Sequence, residues 1–164
     1  MKPINTNNQI AVHTFLFIPV IILCLILTSC IKSQRQKDIE EIKKLSDNFA
    51  LNYFNFDFIS AQKHCTPESY KWLSFIASNI QQEDIDIINS QENKASVETK
   101  HVEFINDTTA TASCRVSNFL KLDTLGQTGQ ITKTAEFNIC IIKRNNRWLV
   151  KMEDPLRNET QNHD

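Results

Sequence analysis

Apolar positions recur with three different spacings along this chain of 164 residues, and each spacing marks a segment. From Phe15 to Leu27 the residues are apolar throughout except for Pro19. This run is shorter than the about 20 apolar residues a membrane-spanning helix needs. It has the length of a secretory signal's apolar core, with Lys2 before it and small residues at its exit. From Asp38 the spacing becomes three and four: Ile39, Ile42, Leu45, Phe49, then Tyr53 and Phe54, one stripe of a helix whose other positions carry Glu40, Glu41, Lys43, Lys44 and Asp47. The pattern restarts at Asp57, a good N-cap for a short helix over Phe58 to Ala61. It restarts again at Thr66-Pro67-Glu68, with proline at the first helical position and an acid in the first turn. Tyr70, Leu73, Ile76, Ala77 and Ile80 then form a buried stripe, so three helices are predicted over residues 38–80.

After Gln81 the period drops to two. Ile85 and Ile87 alternate with acids and predict a short strand. Residues 96–105 favour a strand and Asn106-Asp107 a turn. Ala110, Ala112, Cys114 and Val116 alternate with polar residues as a half-buried strand. Asp123 to Gln130 holds both glycines of the chain, Gly126 and Gly129, and reads as a loop. Ile131 to Lys143 predicts a long strand with Ala135, Phe137, Ile139 and Ile141 on one face. Trp148, Val150 and Met152 point inward on the last strand, which Pro155 ends. The fold class is therefore α+β: N-terminal helices packed on an antiparallel sheet of four to five strands, in one domain over residues 38–154, with a polar tail over 155–164.

Leu27-Thr28-Ser29-Cys30 at the end of the first apolar run resembles a bacterial lipoprotein signal. The resemblance implies cleavage after residue 29, lipid on Cys30, attachment to a membrane through that lipid, and a tether over residues 30–37. The rival is an uncleaved anchor from Ala11 to Ile31. Only Lys2 precedes the run while Lys32, Arg35 and Lys37 follow it, the reverse of the usual export bias. Surface-exposed lipoproteins of Bacteroidota carry an acidic run after this cysteine. Here the positions read IKSQRQK, so the expected place is the cell envelope, on the periplasmic face of a membrane.

A net charge of −1 with mixed signs leaves no basic footprint for nucleic acid. Ten phenylalanines against two glycines indicate a packed core. Of the five cysteines, Cys24 leaves with the signal and Cys30 takes lipid, so Cys65, Cys114 and Cys140 allow one disulfide at most. Their spacing matches no metal-site pattern. Cys114 and Cys140 fall on opposite faces if their strands are neighbours, and buried unpaired thiols are expected.

Phe49-Ala50-Leu51, Asp57-Phe58-Ile59-Ser60-Ala61, Cys65-Thr66-Pro67-Glu68 and Arg147-Trp148-Leu149-Val150 carry a resemblance to the nuclear-transport-factor-two-like fold. More closely, the chain resembles small lipoproteins of uncharacterised function with that fold. The resemblance implies a cone of curved sheet around one long helix, with function at its open end. The pocket lining would include Tyr53, Tyr70 and Trp72; Glu136 and His101 are the candidate catalytic bases. His101 and Glu103 sit in a polar alternation that predicts solvent exposure, and His64 sits at a helix C-terminus, where a cation interacts favourably with the dipole. No HExxH, GxSxG, phosphate loop or paired-carboxylate motif is present, and no metal or cofactor is implied. The expected function is a non-catalytic envelope lipoprotein binding a small apolar ligand or a partner, a homodimer through the sheet included. The alternatives are an isomerase or hydratase using the cone, or an assembly subunit of an envelope complex. Asp107-Thr108-Thr109 and Asp123-Thr124-Leu125 resemble the sites at which Bacteroidota glycosylate exported proteins, at Thr108 and Thr124.

Overall fold

A computed structural model describes residues 34–122 and 127–157. Cys30 with its leader, Thr124, and the tail beyond residue 157 lie outside them. Two compact units divide the chain, Met1–Ile39 and Glu40–Asp164. Of the first, residues 34–39 are described. They are helical, and the Gln34 side chain donates to Asp38 at 3.4 Å. The helix expected to start at Asp38 is thus already formed at Gln34, in keeping with the good helix propensity of Gln, Arg and Lys. This helix, α1, covers residues 34–54.

In the second unit α1 buries Ile42, Phe49, Ala50, Tyr53 and Phe54, nearly the stripe its spacing predicts. It stops by a reversal in which Asp57 N–H reaches Asn52 C=O at 2.9 Å and Phe56 N–H reaches Tyr53 C=O at 3.2 Å. Phe56 takes the left-handed conformation this needs, φ 64°, where glycine is the usual residue. Asp57 then caps α2, Phe58–Gln62, its carboxylate accepting from Ser60 N–H at 3.0 Å. A 3-10 turn over Pro67–Ser69 leads into α3, Tyr70–Asn79. Leu73 and Ile76 are buried there, while Ala77 is exposed and Ile80 half-buried.

One element differs from expectation. Ile85 and Ile87 lie in a helix, α4, Gln82–Ser90, and not in a strand. Gln81 and Asp84 form a reciprocal capping box, with Gln81 N–H donating to Asp84 Oδ2 at 2.9 Å. A helix turns Ile85 outward, where it is exposed, and leaves Ile87 and Ile88 half-buried. Two isoleucines two residues apart cannot distinguish these outcomes, and the cap decides them.

Among the described residues the sheet therefore has four strands, in the order β1 (Ser96–Asn106), β2 (Thr109–Lys121), β3 (Gln130–Arg144), β4 (Arg147–Val150). All neighbours are antiparallel. Asn145 and Asn146, φ 49° and 60°, make the two-residue turn between β3 and β4, the conformation that suits strand twist. Irregularities at Thr99/His101 and Phe104/Asn106 bend β1. Asn118, φ 56°, interrupts alternation in β2 so that Phe119 and Leu120 are both buried. The α+β architecture, helices followed by an antiparallel meander, is as the periodicity predicts, and the curved sheet is as the resemblance implies.

Candidate functional site

Aromatic rings cluster on part of the inner face of the sheet. Phe54 of α1 meets Phe137 at 4.6 Å and Phe119 at 5.1 Å, and those two stand 5.4 Å apart. Tyr53 extends the cluster to Phe54, Phe49 and Phe58 at 5.0, 5.7 and 5.9 Å. These are edge or tilted geometries, which stabilise beyond simple burial. The Tyr53 hydroxyl accepts from Leu156 N–H at 3.2 Å, and burial pushes its pKa well above the ordinary phenol value. Tyr70 and Trp72 are half-buried on α3, where Trp72 meets Phe75 at 6.4 Å and the Lys71 ammonium at 4.9 Å.

Two polar junctions, one part-buried and one buried, escaped the sequence reading. Asp47 Oδ1 accepts from both Thr99 N–H and Thr99 Oγ1 at 2.7 Å, and Thr99 Oγ1 lies 3.2 Å from Cys114 Sγ. Burial pushes the Cys114 thiol up to about 11, so it is neutral at pH 7. Threonine, which is no base, stands between the carboxylate and the thiol. The row joins α1 to the bend in β1. The second junction is Asp84, fully buried, whose Oδ1 accepts from Gly129 N–H at 2.8 Å.

The outer face carries the ionisable candidates, and strand register arranges them in rows. Glu98, Arg115 and Glu136 stand in one row, His101, Ser113 and Asn138 in the next, Glu103, Thr111 and Cys140 in a third. Arg115 Nη2 and Nε donate to Glu136 Oε1 at 2.8 and 3.2 Å, and Ser113 Oγ to Asn138 Oδ1 at 2.8 Å. His101 and Glu103 are solvent-exposed, as their alternation predicts. His101 and Glu136 share this face but lie two strands apart, about 10 Å, and Glu136 is occupied by a guanidinium. Thr108 sits in the exposed β1–β2 turn, its hydroxyl donating to Asn106 Oδ1 at 3.0 Å.

His64 C=O and Thr66 N–H clamp Val150 at 2.9 Å each, and burial lowers the half-buried His64 ring, with Lys63 adding to the effect. Cys65, Cys114 and Cys140 are free thiols, and register puts Cys114 and Cys140 on opposite faces. Among the described residues no group of three or more His, Cys, Asp or Glu could hold a metal ion. Among them, too, no helix is long and apolar enough to cross a membrane.

No protein-family profile matches the chain. No curated protein matches it. Among solved structures it is similar to an NTF-2 like protein of unknown function from Shewanella oneidensis MR-1. The two share 13% identity at a TM-score of 0.45, over 68% of this chain and 92% of the other. At that distance the likeness decides nothing about activity.

Proposed function

We propose that the protein is a membrane-anchored cell-envelope lipoprotein, attached through lipid on Cys30 at the periplasmic face, whose NTF2-like domain docks a partner and performs no turnover. One observation carries the docking half. Phe54, Phe119 and Phe137 pack ring against ring on the inner face, where the resemblance places a pocket, while His101 and Glu136 stand on the other face, exposed and apart. A general base needs hydrogen-bond reach of its proton in a site that excludes water, and neither candidate has that setting. The Leu27-Thr28-Ser29-Cys30 pattern supports the anchoring half, since acyl chains contribute about 0.8 kcal/mol per buried methylene.

Two measurements test this. A fatty-acid probe is expected to label the parent and not Cys30→Ala; labelling of the variant overturns the anchor. Native mass spectrometry of the full chain released from detergent is expected to show polypeptide, acyl chains and any glycan on Thr108 or Thr124. An apolar small molecule retained in equal amount would move the reading to ligand binding.

A further inference from the structure

The sheet has an open side that its own strands leave uncovered. β3 runs fifteen residues and β4 only four, and β4 pairs with β3 from Ile141 to Arg144 alone. Lys151 N–H adds a bond to Cys140 C=O at 2.9 Å, and that bond fixes the phase. The even-numbered residues of β3 aim their N–H and C=O toward the β4 side. The register with β2 holds without slip from Ile142 down to Thr134. The peptide groups of Thr134 and Glu136 therefore point outward past the end of β4, and no described residue hydrogen-bonds them. Thr134, Lys133, Glu136 and Ile131 are exposed along this stretch.

The other sheet margins are covered or broken. The outer side of β4 is clamped at Val150 by His64 and Thr66. β1 is bent at two places, and its Thr99 N–H is taken by Asp47. Such devices are how proteins blunt strand edges, and among the described residues none covers the lower half of β3.

We propose that this edge, Lys133 to Glu136, is the docking surface, and that its occupant is an extended peptide segment of a partner protein, added as a strand, with an acidic side chain opposite Lys133. The inference rests on the docking reading above and names the surface that performs it. Backbone bonds to Thr134 and Glu136 provide the affinity in this mode, and side chains set the choice. The edge charge decides the sign. Glu136 is neutralised by Arg115 at 2.8 Å, whereas Lys133 has no ion pair among the described residues. An opposite charge directly across a strand pair is favourable. A second copy fits worse: antiparallel pairing centred on Thr134 sets the two Lys133 ammonium groups diagonal to each other.

The test uses full-length protein in lipid nanodiscs, with displayed random heptapeptides as the probe. Enriched peptides are expected to alternate apolar and polar residues with one acid at a fixed place. Thr134→Pro removes the edge N–H, which donates to no described residue, and is expected to weaken those peptides about tenfold. Lys133→Glu leaves the backbone intact, and selection against it is expected to exchange the acid for a base. Peptides that bind both variants as well as the parent overturn the edge and leave docking elsewhere on the domain standing. A lack of any enriched peptide overturns the edge too. A concentration-dependent dimer abolished by Thr134→Pro replaces the peptide with a second copy.

Discussion

Asp84 of α4 accepts a hydrogen bond at 2.8 Å from the backbone N–H of Gly129, 45 residues away, with the carboxylate fully buried. The same side chain closes the capping box at Gln81 through its other oxygen at 2.9 Å. One carboxylate therefore starts a helix and fixes the residue before β3. It faces no cation in these two bonds; two backbone amides and the helix N-terminus supply the compensating positive charge.

Replacing either member is expected to destabilise the domain, by different routes. Asp84→Ala leaves the buried Gly129 N–H without an acceptor, a cost of about 1–3 kcal/mol. Asp84→Asn keeps one acceptor oxygen and costs less. At Gly129 a Cβ would stand 2.8 Å from both Leu120 Cγ and Leu122 Cδ2 and 2.9 Å from Lys121 C=O. The Leu122 methyl can shift but the branch point of buried Leu120 and the carbonyl cannot, so Gly129→Ala costs about 1–3 kcal/mol by overpacking. Urea unfolding of the three variants measures the order.

This junction shows where the sequence ceases to be readable. Asp57 as the cap of α2 is legible because a cap needs only the next three residues. The inward faces of β2 and β3 are legible because alternation over many residues has one solution. Ile85 and Ile87 span too little chain to separate the two periods, and Asp84's second partner is 45 residues away. Register decides the site in the same way. Glu136 reads as a free carboxylate until β2 places Arg115 beside it. The open edge of β3 follows from the length difference between β3 and β4 together with the phase fixed at Cys140, neither of which has a local signature.

Thiol reactivity should follow burial. Desolvation pushes Cys65 up to about 12 and Cys114 up to about 11, while Cys140 is half-buried and raised less. Since the thiolate is the reactive form, alkylation of native protein at pH 8 is expected to modify Cys140 before the other two. Cys65 and Cys114 should react only as the protein unfolds. Peptide mapping of the alkylated cysteines checks the order, and early labelling of Cys114 would contradict the packing of the Thr99 row.

Glu68 gives a pH dependence of definite sign. Its hydrogen bond with Arg144, at 2.7 Å, and lesser bonds nearby lower its pKa from 4.5 to about 2. The folded state therefore holds the proton less tightly than the unfolded chain. The stabilisation is complete above pH 4.5 and is lost as the pH falls toward 2. Both groups are exposed, so the effect is small and salt-sensitive. Glu68→Gln should be less stable than the parent at pH 7 and indistinguishable from it near pH 2. A gap between them that widens in acid would reject the pair as its cause.

The aromatic cluster makes its own prediction at Phe54. Its ring meets Tyr53, Phe119 and Phe137, so Phe54→Ala removes one side of three aromatic contacts at once. Truncations of this kind cost about 3–5 kcal/mol, because the surroundings collapse only partly around the space left. An apolar space of that size stays dry and accepts a small aromatic molecule. Benzene is therefore expected to raise the melting temperature of Phe54→Ala and to leave the parent unchanged, since a ligand stabilises only a state that has room for it. A rise in the parent would mean that the roll is already hollow. In that case small-ligand binding, and not docking, would be the better account of what this domain does.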